Sequence, residues 1–324
     1  MRLHILLLLL CLPMLPLRAL AADVQSPRRF VFTCEVLLRN LPGAAQKVEL
    51  WLPVPPDTPE QEVLSLRVDS PVEGEFTQER VYGNRMWYAR TAPPPDGTWR
   101  VTMRVEAVRR EQQTDWKGKG AELSAPGNLG LFLQSNRLIP LTPRFKQIAS
   151  RETQGRAGVI AQARALYDYV MERMVYDKSS AGWGRGDANY ACDIGKGNCT
   201  DYHSLFIALG RSVNTPVRFW MGFSLPPVRG EGRVAGYHCW AEFWAPEAGW
   251  VPVDISEADK RPEKADYFFG NADENRLAFS LGRDLRLVPG QQGPPINFFI
   301  YPYAEADGTP WNQVDHHFTY QDLP

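Results

Sequence analysis

The sequence predicts an α+β protein, with strands first and a mixed region of helices and strands second. Three observations carry this. Between residues 29 and 113, apolar residues recur at every second position in short runs separated by Pro- and Gly-rich turns. Between 156 and 175 the apolar period becomes that of a helix. From 199 to 255 a second helix is followed by short strand-like runs and a tight turn.

The chain has 324 residues, enough for roughly two domains. Residues 1–21 read as an export leader. Arg2 precedes a short apolar run at 5–12, and Ala19-Leu20-Ala21 fits an A-x-A cleavage site. That run is too short to cross a bilayer, which takes about 20 residues. The mature chain is expected to begin near Ala22, to work in the periplasm or outside the cell, and to have no membrane span.

Residues 22–115 then form a small β-sandwich. The segment 29–39 is a mixed, partly alternating strand, 47–53 alternates cleanly, and 97–110 alternates through Val101, Met103, Val105 and Ala107. Residues 116–150 lack a clear period and read as an ordered connecting segment. The core domain covers 151–260. Val159, Ala163, Leu166, Val170 and Met174 share one helical face across 156–175. The stretch 176–198 is Gly-rich and polar, the type of loop that carries function. A helix at 199–211 and strands at 216–223, 237–244 and 250–255 complete the core. Residues 261–324 read as a C-terminal extension on the core, with strands at 275–288 and 296–304 and a polar tail holding His316 and His317.

Lys plus Arg (36) nearly balance Asp plus Glu (37), so no long-range field selects nucleic acid or an anionic membrane. There is no Gly-rich phosphate motif and no need for an organic cofactor. Once the leader with Cys11 is removed, Cys34, Cys192, Cys199 and Cys239 remain. These are too few for a disulfide framework in a chain of this size. Only Cys192 with Cys239 merits consideration as a pair.

Cys199 is the candidate nucleophile. Gly197-Asn198 ends the loop, so Cys199 lies in the first helical turn, where unpaired N–H groups and the helix dipole favour a thiolate. Among the histidines of the mature chain, His203 lies one turn further along the same helix and is expected to pack behind the site. His238 is the better base, because strand parity gives it an orienting partner. Residues 238 and 254 are both even, and a hairpin turning near 245–249 places Asp254 opposite His238 or one diagonal step away. Asp254 then fixes the imidazole tautomer. Zinc is the chemical rival, since Cys192, Cys199, His203, His238 and Cys239 are soft ligands. Their spacing matches no common zinc motif, and none is expected to bind metal.

Three motifs resemble those of bacterial transglutaminase-like proteins. They are Gly197-Asn-Cys-Thr-Asp-Tyr-His-Ser-Leu-Phe, Gly236-Tyr-His-Cys-Trp-Ala-Glu-Phe-Trp and Gly249-Trp-Val-Pro-Val-Asp. The resemblance covers about residues 155–260. It implies a papain-like core in which a cysteine helix packs on an antiparallel sheet. It also implies Cys199 as nucleophile, His238 as general base and acid, and Asp254 as its orienter. The backbone N–H of Cys199 is a natural oxyanion donor, and the resemblance suggests Trp183 as a side-chain donor, with Asn198 beside the nucleophile. The superfamily includes cross-linking enzymes, peptidases, amidases and members without catalysis. The expected activity is thioester-forming attack on a peptide, protein or cell-envelope amide, with hydrolysis favoured over transamidation. The alternative is a non-catalytic module that binds peptide or cell-envelope material.

Overall fold

A computed structural model describes residues 26–116 and 127–324. The leader expected at 1–21 and part of the connecting segment lie outside the described residues. The N-terminal half follows the predicted alternation. Strands β1 (Arg28–Leu38), β2 (Val48–Val54), β3 (Gln61–Asp69), β4 (Gly74–Gln78), β5 (Arg85–Thr91) and β6 (Trp99–Arg109) divide between two antiparallel sheets. Phe30, Phe32, Val101 and Val105 of one sheet and Leu50 and Leu52 of the other are buried in a common core. Each large side chain buried in this way contributes about 1.5–3 kcal/mol.

The C-terminal stretch, expected to pack on the core domain, divides between the two halves. Strand Arg276–Leu281 joins the sheet of the core domain. Strands Tyr303–Ala306 and Val314–Asp322 instead pair with β2 and β1, so the chain's end completes both sheets of the sandwich. The run predicted as strand at 275–288 is shorter because Gly282, at φ 86°, turns the chain out of the ladder. The tail that read as polar is a strand. Its inward positions Phe318 and Tyr320 are few, and three charged or histidine residues at 315–317 mask the alternation.

In the core domain, helices α1 (Pro143–Glu152), α2 (Val159–Arg173), α3 (Ala188–Ile194), α4 (Cys199–Ser212) and α5 (Ile255–Lys260) surround a four-stranded antiparallel sheet. Its order is Gly249–Val253, Tyr237–Ala245, Val217–Ser224, Arg276–Leu281. Helix α4 is buried from Cys199 to Arg211 and packs against the other four helices and the sheet. Its Thr200, Asp201, His203, Ser204 and Arg211 side chains are paired inside the protein instead of lining a wet face. Sheet and sandwich share one core, in which Phe223 meets Phe32 and Phe318 at ring-centroid distances of 4.9 and 4.5 Å. Among the described residues no helix is long and apolar enough to cross a membrane.

Cys34 lies in β1 with its side chain in this core, and burial followed by the charge of Glu35 pushes its thiol up to about 12. Such a thiol is inert at neutral pH. Cys34→Ala is therefore expected to cost roughly 1 kcal/mol of stability, typical of a core substitution. Alkylation of Cys199 should stay within a few fold of wild type, as mass spectrometry of labelled peptides would show.

Candidate active site

The start of α4 is built by its cap. Asn198 Oδ1 accepts the Thr200 N–H at 3.0 Å, and the Asp201 carboxylate reaches back to the Asn198 N–H at 3.0 Å. This reciprocal box fixes the first turn and holds Cys199 in it. Gly197 is required here. A Cβ at that position would stand 2.4 Å from Asp201 Oδ2, displacing the carboxylate from the cap. Asp201 also accepts the N–H groups of Gly184 and Gly186 at 2.7 and 2.9 Å, which ties the glycine-rich loop to the same turn. The loop predicted at 176–198 is thus partly ordered, and α3 lies within it. Asp187 caps α3 by accepting the Asn189 N–H at 3.0 Å.

His238 lies on the central strand Tyr237–Ala245. Its Nε2 meets Asp254 Oδ2 at 2.6 Å. Asp254 is one position past the strand predicted for 250–255, which ends at Val253. The aspartate instead caps α5, accepting the Glu257 N–H at 3.1 Å, because a short carboxylate competes well for free helix N–H groups. The parity argument still holds. Ala241 pairs with Val253, so Asp254 falls one diagonal step from His238.

Cys199 and His238 lie close enough in the buried site for each to shift the other's affinity for a proton. Cys199 is 2% exposed. Burial alone would raise its thiol. Neighbouring Cys239 and His238, the latter also by its charge, outweigh this and hold it well below its ordinary value. His238 moves in the opposite sense. Burial lowers it, but Asp254 and Cys199 raise it to about 10. Both shifts favour a thiolate beside an imidazolium. Burial first, and then the Cys199 sulfur, push the Cys239 thiol well above its ordinary value, so it stays neutral.

His203 lies behind the site, as expected. Its Nδ1–H donates to the Cys199 carbonyl at 2.7 Å and its Nε2 accepts the Ile255 N–H at 3.2 Å. Burial lowers its affinity for a proton, and these partners fit the neutral ring. It therefore joins the cysteine helix to the segment carrying Asp254. Asn198 uses both ends of its amide, capping α4 and donating from Nδ2 to the Tyr237 hydroxyl at 2.8 Å. Trp183 lies on the glycine-rich loop, 39% exposed, with its ring centroid 5.6 Å from Lys178 Nζ. Its indole makes no hydrogen bond among the described residues. The four described cysteines, including Cys192 and Cys239, are free thiols.

Sequence reasoning missed Arg276. Its guanidinium is buried, bonds Asp254 Oδ2 through Nη1 at 2.5 Å and lies 5.5 Å from the Trp240 ring centroid. The signal was a lone arginine entering the apolar run Leu277-Ala278-Phe279, because a buried charge needs a buried partner. Arg283 was missed for the same reason. It donates to Ser204 Oγ at 2.9 Å and to the Gly186 carbonyl at 3.0 Å, clamping the glycine-rich loop against α4.

A family model of the transglutaminase-like superfamily matches residues 146–255. An uncharacterized protein of Haemophilus influenzae is 28% identical over 324 residues, covering 84% of each chain. The uncharacterized protein YebA of Bacillus subtilis is 23% identical over 136 residues, covering 38% of this chain and 18% of its own. The fold is similar to a Cytophaga hutchinsonii crystal structure provisionally described as a cysteine protease. The TM-score is 0.61 at 14% identity, over 93% of this chain and 92% of that one. The chain thus carries a transglutaminase-like domain over residues 146–255.

Proposed function

We propose that this transglutaminase-like domain is an exported thiol enzyme that hydrolyses a peptide or related amide through Cys199. The observation that carries the reading is the buried grouping of Cys199, His238 and Asp254, with His238 bonded to Asp254 and the Cys199 thiol held low by its neighbours. The Cys199 sulfur attacks the amide carbonyl carbon, and the electron pair of the C=O bond moves to oxygen. The backbone N–H of Cys199, at the positive end of α4, faces that oxyanion. His238 transfers its proton to the departing nitrogen, the C–N bond breaks and a thioester remains. His238, now neutral, takes a proton from water as the water oxygen attacks. The C–S bond then breaks, releasing acid and restoring the thiolate. An amine entering in place of water would give transamidation by the same steps.

Asp254 stabilises the imidazolium and fixes which ring nitrogen faces sulfur. The export part of the proposal rests on the leader signature. N-terminal sequencing of exported protein should begin at Ala22, and an intact Met1 on cytoplasmic protein would end that part.

Labelling with a peptide-amide electrophile tests the chemistry, with Cys199→Ala as control. One equivalent of label should attach at Cys199, and product analysis should show free carboxylate. Retention of peptide without labelling or turnover would replace this reading with the non-catalytic binding module.

A further inference from the structure

A cavity is shared by the core domain and the end of the chain. Its volume is about 340 Å³, and its lining includes Arg233, Gly236, Tyr301, His316, His317 and Phe318. Tyr237 connects its lining to the start of α4. The Tyr237 ring lies 5.8 Å from that of Tyr301, and its hydroxyl accepts from Asn198, the residue before Cys199.

The chemistry of the cavity is uneven. Its floor is aromatic, with Tyr301 stacked on His316 at 4.4 Å and on Phe318 at 5.9 Å. Burial, and then the neighbouring His317, lower the affinity of His316 for a proton, which keeps the stack neutral despite the opposing charge of Asp315. The rim carries Arg233, whose Nη2 donates to His317 Nδ1 at 3.1 Å. That contact orients the guanidinium and leaves its other N–H groups free. Arg233 makes no ion pair among the described residues, and no carboxylate lines the cavity. Asp315 and Glu35 line a separate hollow beyond His317, and Asp315 is already paired with Arg39. A permanent cation with free donors above an aromatic floor suits a carboxylate on a short apolar or aromatic stem.

We propose that this cavity is a substrate subsite that takes a carboxylate-bearing residue flanking the scissile amide. The inference rests on the thiol-enzyme reading above and adds the substrate class, an acidic peptide. It also gives the end of the chain a part in specificity, because His316 and His317 are on the strand that returns to the sandwich.

Matched electrophiles test this without requiring turnover. Peptidyl chloromethyl ketones extend on the acyl side of Cys199, and N-chloroacetyl peptides extend on the amine side. Each series is made with Glu and with Gln at the neighbouring positions. In at least one series the Glu reagent should label Cys199 about fivefold faster than its Gln partner at low salt. The preference should shrink as salt is added. Arg233→Gln should abolish the preference while leaving iodoacetamide labelling at the wild-type rate, and Arg233→Lys should retain part of it. Equal rates for Glu and Gln in both series, or a preference that survives Arg233→Gln, would overturn the subsite alone. If Cys199 takes none of the reagents, iodoacetamide included, the thiol-enzyme reading fails and the subsite falls with it.

Discussion

Replacing His238 with alanine is expected to lower amide turnover by about a hundred- to ten-thousand-fold, the range usual for loss of a general acid–base. The same change should move the Cys199 thiol from well below its ordinary value to above it. The direction for Cys199 is the balance of opposing effects: burial raises the thiol, and its neighbours Cys239 and His238 lower it. Without His238 the burial remains and the main counter-charge is gone. Thiolate absorbance and iodoacetamide labelling, followed against pH, should therefore shift from an acidic midpoint to one above the free-thiol value of about 8.5. His203→Gln is the informative contrast. That ring is neutral and engages backbone groups on both sides, so its loss should loosen the site without removing the ion pair. An unchanged midpoint in His238→Ala would show that no ion pair exists.

The pair also shapes stability. A raised imidazole stabilises the fold below its unfolded value of about 6.5, and this contribution is lost as pH rises through about 10. A lowered thiol stabilises the fold above its unfolded value of about 8.5, and this is lost as pH falls through its folded value. Between about 6.5 and 8.5 folded and unfolded pairs bind the same number of protons, so the combined contribution is flat there and falls on either side.

The site was legible in the sequence to the extent that local rules decide it. The loop end at Gly197-Asn198 before Cys199 and a hairpin with even spacing between His238 and Asp254 require no distant partner. The two were joined by the period of a strand alone. The α+β order of elements was legible for a similar reason, since the switch from period two to a helical period is continuous along the chain. The destination of residues 303–322 was not. Their pairing with β1 and β2 spans most of the chain, and no local spacing encodes which sheet edge is left open. Arg276 and Arg283 are similar cases. Each is an ordinary polar residue until a buried acceptor, Asp254 or the Gly186 carbonyl, is brought against it. Asp254 lay one residue from its expected role because a strand end and a helix cap compete for the same carboxylate.

Removing the guanidinium beside Asp254 should be the most damaging single change to stability in the site. Asp254 and Arg276 are each about 1% exposed. Burial alone would raise Asp254, but His238 and Arg276 hold the carboxylate well below its usual range. Arg276→Met leaves that carboxylate with His238 as its remaining strong cation, and Asp254→Asn leaves the buried guanidinium with Asp273 at 3.5 Å. Breaking a buried pair from either side costs about 3–5 kcal/mol. Removing both should cost less than the sum, with a coupling of about 0.5–3 kcal/mol. Urea unfolding of both single variants and the double variant measures this directly, and strictly additive losses would show that the two groups do not interact. Turnover should separate the roles. Asp254→Asn permits the wrong imidazole tautomer and should depress both acylation and thioester hydrolysis. Arg276→Met removes a positive charge near His238, so the ring holds its proton more tightly. Thioester hydrolysis needs the neutral ring, so this step should slow by about tenfold for each unit the ring rises, and its pH dependence should shift upward. Acylation needs the protonated ring and should be affected less. Single-turnover measurement of the two steps distinguishes an arginine that tunes the base from one that only fills the core, for which both steps would fall together.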